Sequence, residues 1–243
     1  MDKNLLKQLN HDFDTDIEYL DVMEGVFTLN ESSEGFLTYN NHPLAINLLG
    51  NHLLVRSSNK DLLNELKANF SDNEAAWFME FKNIKKLEAI LAKYKMHINN
   101  MAPILVPVKY FKKYESAYEF IRIKKEDYKN YKSVTNFAFS FADGYPADKL
   151  AMAYYDDEKL VSIAGANQNS KYFWEIGVER LDYDKKYDGI TEILLNNLVY
   201  TAREENPEIT IIYSTQFSHV KSMNLAMRAG FEFTFSFINA DYD

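Results

Sequence analysis

The segment from Phe173 to Ala202, FWEIGVERLDYDKKYDGITEILLNNLVYTA, constrains the fold more than any other part of the chain. FWEIGVERL reads as a strand. From Ile190 the apolar residues Ile190, Ile193, Leu194, Leu198 and Ala202 follow the i, i+3, i+4 stripe of a helix, predicted over Ile190 to Arg203 and ended by Asn206-Pro207. Gly189 occupies the turn between them, where a missing side chain lets a ligand come close to the backbone. The first turn of a helix has unpaired N–H groups and the positive end of the helix dipole. Strand, glycine turn and helix start together make a place for an anionic group such as a pyrophosphate. A second reading stays open, in which the glycine is present for steric reasons alone.

The neighbouring segments extend this alternation of strand and helix. SAYEFIRI reads as a strand and KKEDYKNYKS as a polar, helix-compatible stretch. LAMAYYDDEKLVSIAGA reads as two strands around a turn at Asp156-Asp157. ITIIYS is a further strand, and a helix over Val220 to Arg228 follows. In GFEFTFSFI, Phe231, Phe233, Phe235 and Phe237 alternate with polar residues, which predicts one buried and one wet face. Whether that strand lies at a sheet edge, open to pairing between chains, or inside the sheet stays open.

In the first half, NKDLLNELKANF and NIKKLEAILAKYK carry helical spacing, with Ser57 and Ser58 as capping candidates for the first. AWFMEF and HLLVRS are short strand candidates. Pro103 and Pro107 bracket an apolar run and favour an extended connection. The expected organisation is therefore a smaller α+β domain over residues 1–112, followed by an α/β (α+β) domain over 113–243 with a twisted mixed sheet and helices on both faces.

Several chemistries are disfavoured. There is no cysteine, which removes disulfides, thiolate metal sites and a cysteine nucleophile. Lys plus Arg against Asp plus Glu gives 27 − 36 = −9, so a phosphate backbone is a poor partner. A cationic small substrate suits that charge, although acidity of this size is also ordinary. No apolar run approaches the ~20 residues that span a bilayer, and the N-terminus lacks a secretory h-region. The expectation is a cytoplasmic protein, a monomer or homodimer, with neither membrane nor nucleic acid as partner. Asp12, Asp14 and Asp16 resemble the start of a calcium loop, but Ile17 and Met23 stand where such a loop needs Gly and Glu. They read as solvated acids near a helix end. The histidines show no ligand spacing, and neither a nucleophile elbow nor a P-loop is present. No metal is expected.

The stretch from about Ala117 to Ile238 resembles the GNAT N-acetyltransferase superfamily. The coenzyme A pyrophosphate loop of that family (Arg or Gln, two residues, Gly, one residue, Gly or Ala) is similar to KYDGIT here, with Lys186, Gly189 and Thr191 at its fixed positions. SHVKSMNLAMRAGF looks like the family's last helix and the strand after it. WEIGVE, RAGF and the stretch ending near MAPILVP are similar to the bacterial two-domain acetyltransferases grouped with zwittermicin A resistance proteins.

The resemblance implies a GNAT-like sheet and direct transfer of an acetyl group from acetyl-CoA to the amine of a small acceptor. Lys186, Tyr187, Asp188, Gly189, Ile190 and Thr191 would offer amides to the pyrophosphate, while Val178, Glu179 and Arg180 would pair with the pantetheine arm. His219 and Ser222 would touch pantetheine; in the competing reading Ser218 or His219 only caps the helix. Ala226 stands where many members have a tyrosine that protonates the thiolate. Glu175 is the candidate base, acting through a water, its pKa raised by desolvation on a strand between Trp174 and Ile176; an outward glutamate with no role is the competing reading. Glu179 and Tyr183 are alternates. Tyr154, Tyr155, Phe173 and Trp174 are either an acceptor pocket or core. The alternative function is an acyl-CoA-binding sensor or scaffold that has lost catalysis.

Overall fold

The computed structural model describes residues 3–17, 25–30, 42–142 and 147–243; Met23 lies outside them. The chain forms two compact units, one built on residues 5–104 and 233–243, the other on residues 105–232. The expected boundary after residue 112 lies beyond the first crossing, and the closing strand groups with the N-terminal unit.

The unit of residues 5–104 has helices α1 (Lys3–Phe13), α2 (Lys60–Phe70) and α3 (Phe81–Lys93) and strands β1 (Val26–Leu29), β2 (Leu44–Leu49), β3 (His52–Ser57) and β4 (Met96–Pro107). The α2 helix starts where its leucines predict, but its cap is Asn59, whose side chain accepts from the amides of Asp61 and Leu62. Ser57 remains in β3, with its hydroxyl on the Pro43 carbonyl. AWFMEF is not a strand. Ala75 and Phe78 are buried while Trp77 and Phe81 are exposed, a spacing that suits the 3₁₀ turn Ala75–Trp77 running into α3. Asp12 is not solvated: it is buried in α1 and accepts from Gln8 Nε2 at 2.7 Å. Pro103 and Pro107 lie inside β4 rather than in a linker.

The unit of residues 105–232 has strands β5 (Ile121–Arg122), β6 (Asp148–Asp156), β7 (Lys159–Gln168), β8 (Phe173–Arg180) and β9 (Thr210–Ser214), with helices α4 (Ile190–Glu205) and α5 (Val220–Arg228). Its strands run in the order β9-β8-β7-β6-β5. The β5–β8 neighbours are antiparallel and β8–β9 is parallel. SAYEFIRI yields only the two residues of β5, and KKEDYKNYKS forms the 3₁₀ helix Lys125–Tyr131. Leu194, Leu195, Leu198 and Val199 of α4 pack on one sheet face with Leu150, Ala164, Trp174 and Ile176. On the other face Ala151, Ala153 and Ile163 meet Tyr128, Ala138 and Phe139.

The final strand, β10 (Phe231–Tyr242), pairs antiparallel with β2 and sits inside the order β1-β3-β2-β10-β4. It is not an edge. Phe235 to Ala240 are buried on both faces and Phe233 is exposed, so the expected alternation of wet and dry faces fails. Ile238 and Ala240 join the core under α2 and α3, which covers the face the pattern left to water. The fold is mixed α+β, as expected. Among the described residues no helix is long and apolar enough to cross a membrane.

Candidate functional site

The β8–β9 pairing is short. It joins Phe173 to Thr210, Trp174 to Ile211 and Glu175 to Ile212. Beyond that rung β9 continues to Ser214 and β8 to Arg180, the latter still paired with β7 through Ser162↔Arg180. The two strands therefore form a fork with Glu175 at its apex.

Alternation of a strand's polar groups shows which ones face the fork. The carbonyl of Phe173 accepts from Asn169 N, and Leu181 N donates to Val161 O, so odd-numbered residues of β8 turn toward β7. Thr210 N donates to the Tyr172 carbonyl, so even-numbered residues turn toward β9. The main-chain groups of Val178 and Arg180 thus lie along the open edge. Those of Glu179 do not, and its carbonyl accepts from Ser162 Oγ at 3.1 Å. The expectation for Glu179 as a pairing residue is corrected by this parity. Its side chain instead accepts from Thr135 Oγ1 at 2.7 Å and Asn136 N at 3.1 Å, anchoring segment 135–139 over the sheet.

Glu175 is half-buried. Its Oε2 accepts from Asn169 Nδ2 at 2.6 Å, and its Oε1 accepts from Ser214 Oγ. Burial pushes its pKa up, and the hydrogen bonds from Ser214 and then Asn169 oppose that rise. Cross-strand from it stand Asn167 and Ile212.

The glycine turn leads into α4. Gly189 is its N-cap at φ +86°, a left-handed conformation that favours glycine, and has no side chain to cap the first-turn amides. The preceding amides are committed: Lys186 N donates to Asp184 Oδ1, Tyr187 N to Asp184 O and Asp188 N to Lys185 O. Of the residues expected to offer amides, Gly189, Ile190 and Thr191 lie at the uncapped helix start; Lys186, Tyr187 and Asp188 belong to a self-bonded 3₁₀ turn. Lys186 Nζ lies 2.7 Å from Asp156 Oδ2, and this bond holds its pKa above the usual lysine range. Tyr187 OH donates to the same oxygen at 2.5 Å. Ile190 is core. Thr191 is buried with Oγ1 3.2 Å from Ser162 Oγ. Arg180 ties the loop together through the carbonyls of Asp182 and Asp184 and the Asp188 carboxylate. Tyr183 is exposed, its ring 5.4 Å from the Arg180 guanidinium carbon.

On the α4 side of the fork, buried Tyr213 of β9 places its hydroxyl 2.9 Å from Ser222 Oγ. Burial raises its pKa. Ser222 and Ala226 are one turn apart on the same face of α5, so Tyr213 supplies a hydroxyl next to the position where Ala226 has none. His219 is the N-cap of α5 with no side-chain capping bond; its Nδ1 lies 3.4 Å from Thr215 Oγ1. Phe173 and Trp174 are core, Tyr154 stacks with Tyr118, Phe120 and Tyr187, and Tyr155 shares a hydrogen bond with Tyr131. A cavity of about 230 Å³ lies against α4, but it is lined by Lys113, Tyr118, Met152, Asn197 and Thr201 among others, with no residue of the fork. Among the described residues no group of three or more His, Asp or Glu side chains converges as a metal would require.

Sequence reasoning missed Asn169, Ser214 and Tyr213. Nothing local marks them, because Ser214 meets Glu175 only through the β8–β9 rung.

No family model matches the chain, and no curated protein sequence matches it. Among solved structures, an acetyltransferase of the GNAT family from Colwellia psychrerythraea aligns over 99% of this chain and 96% of its own, at 13% identity and a TM-score of 0.49. A GCN5-related N-acetyltransferase from Kribbella flavida aligns over 63% of this chain and 62% of its own, at 16% identity and 0.43. A GCN5-related N-acetyltransferase-like protein from Streptococcus suis aligns over 68% of this chain and 69% of its own, at 11% identity and 0.42.

Proposed function

We propose that the chain is an N-acetyltransferase that moves an acetyl group directly from acetyl-CoA to the amine of a small, cationic acceptor. One observation carries the reading: β8 and β9 part immediately after Glu175, leaving an open backbone edge with a carboxylate at its inner end. An extended amide-containing arm pairs with such an edge as an added strand does. The uncapped start of α4 suits the anionic end of the same molecule. Glu192 in that first turn is neutralised by Arg228, whose Nε lies 2.9 Å from it.

In this mechanism Glu175 takes a proton from the acceptor's ammonium, and the freed amine attacks the thioester carbonyl. A main-chain N–H on the open edge, that of Val178, stabilises the developing oxyanion. The carbon–sulfur bond then breaks, and the leaving thiolate takes up the proton that the attacking nitrogen gives up as the amide forms. No covalent enzyme intermediate forms. Glu175 at the fork and the overall charge of −9, which attracts cations at long range, support a cationic acceptor.

Thermal unfolding with acetyl-CoA at a hundred times its Kd, against adenosine diphosphate as control, tests the reading. The expected stabilisation is about 2.7 kcal/mol, or roughly 5–10 °C for a chain of this size. No shift beyond the control overturns it. A shift without turnover of any amine leaves a binding module and removes the transferase.

Asp156 competes with any phosphate for Lys186. Asp156→Asn is therefore expected to tighten acetyl-CoA binding severalfold, measured by titration calorimetry, and to steepen its salt dependence, whereas Lys186→Ala weakens both. Unchanged affinity in both variants would remove Lys186 from phosphate recognition.

A further inference from the structure

Glu175 is the only described residue at the fork whose side chain receives two side-chain donors from two different elements. Asn169 comes from the β7–β8 turn and Ser214 from the open end of β9. Together they occupy both carboxylate oxygens. Each donor bonds more strongly to a carboxylate than to a neutral acid, so each favours the ionised form. Ser214 reaches Glu175 because residues 212 and 214 of β9 share the face that carries 175 on β8.

We propose that Asn169 and Ser214 are positioning residues that hold the Glu175 carboxylate in one orientation and in its ionised form at the apex of the fork. The proposal rests on the transferase reading for its catalytic meaning but not for its test. Burial disfavours the charged carboxylate, and the two donors oppose that effect.

The surroundings leave these donors in control. Across the ladder Glu175 faces Asn167 and Ile212, and along its own face it has Phe173 and Gly177. The segment packed on that face brings backbone carbonyls of Phe137 and Ala138. Asp148 of β6 is engaged by Ser140 and by the Phe141 amide. Glu179 is engaged by Thr135. At the entrance to α5, His219 lies by Thr215. No charged group contributes to the raised pKa of Glu175; burial raises it, and the hydrogen bonds from Ser214 and Asn169 oppose that rise.

The test is a carboxyl-carbon NMR titration of Glu175 in the full chain, with its signal assigned by Glu175→Gln. Ser214→Ala and Asn169→Ala are each expected to raise the midpoint by about one pH unit, as loss of one hydrogen bond to a charged group implies. Ser214→Thr keeps the hydroxyl and is expected to return the midpoint to that of the wild type. With an active amine, the acidic limb of kcat/KM moves upward by the same amount while the KM for acetyl-CoA stays constant. A midpoint unchanged in both alanine variants overturns the proposal whether or not acetyl transfer is found. A shifted midpoint with no transfer to any amine upholds it and removes the transferase reading instead. Should Ser214→Ala fail to fold, Asn169→Ala alone decides, since its position in a turn leaves the ladder intact.

Discussion

Gly177→Ala is expected to be among the most destabilising single-atom additions in the molecule. A Cβ at Gly177 would stand 1.5 Å from the Phe137 carbonyl oxygen, and one at Gly165 would stand 1.7 Å from that of Ala138. The two glycines face each other across the β7–β8 ladder, so they form a floor on which the backbone of residues 137 and 138 lies directly. Backbone cannot rotate away as a side-chain tip can. Either segment 135–139 lifts from the sheet, losing the Thr135–Glu179 anchor, or the strands separate.

Overpacking of this kind costs about 1–3 kcal/mol, and more where backbone must move. We expect Gly177→Ala to lie at or above the top of that range, lowering Tm by roughly 6–12 °C. Gly189→Ala is the control. Its Cβ would meet nothing within 4 Å, so only the φ of +86° opposes it, at about 1–2 kcal/mol. The double variant Gly165→Ala/Gly177→Ala should cost less than the sum of its parts, since one lifted segment relieves both clashes. A Gly177→Ala protein as stable as wild type would mean that the segment does not rest on this sheet.

Much of the architecture was legible because it repeats a period. The hairpin around Asp156-Asp157, strand β8, helix α4 with its Asn206 C-cap and helix α5 all lie where alternation or a 3.6-residue stripe puts them. Failures came where one residue type serves two geometries. AWFMEF is as apolar as a strand, yet within it only Phe78 is buried, three residues after the buried Ala75, which is a 3₁₀ spacing and not a strand's alternation. The Phe alternation of β10 predicted a wet face, but whether a face is wet depends on what packs there. A strand's own sequence does not contain the helices that cover it. Gly165 and Gly177 were readable as glycines inside strands, a sign of close backbone approach, though not of what approaches.

The site was legible in outline and illegible in its details for the same reason. Glu175 could be singled out as a carboxylate between apolar neighbours. Its donors could not, because the hydrogen bond from Ser214 spans a crossover through α4. By sequence alone the pyrophosphate-like turn is a single run of amides from Lys186 to Thr191. Local hydrogen bonding divides it: Asp184 caps a 3₁₀ turn that consumes the first three, and only the helix start beyond Gly189 lacks a side-chain cap. Asp184 is two residues from Lys186, so that division was within reach of the sequence as an Asx-type turn.

Glu175→Gln should separate the roles of this carboxylate in one variant. As general base its loss lowers kcat by about 10²–10⁴-fold, with acetyl-CoA affinity unchanged because the edge residues and the α4 start are untouched. Stability should move the other way. A carboxyl whose folded-state pKa is raised stabilises the fold fully below the unfolded value, near 4.5 for glutamate, and that contribution fades as pH rises through the raised folded value. Wild type should therefore lose stability relative to Glu175→Gln as pH climbs from about 4.5 through the raised folded value, and the gap should then level off. Urea unfolding at several pH values reads this directly. An active Glu175→Gln protein with a stability profile parallel to wild type would show a solvated glutamate with no part in proton transfer. Loss of activity together with a parallel profile would show a base whose pKa the fold does not raise. The expected pair of results, slower and more stable at neutral pH, follows from keeping an ionised carboxylate where burial opposes it and two donors sustain it.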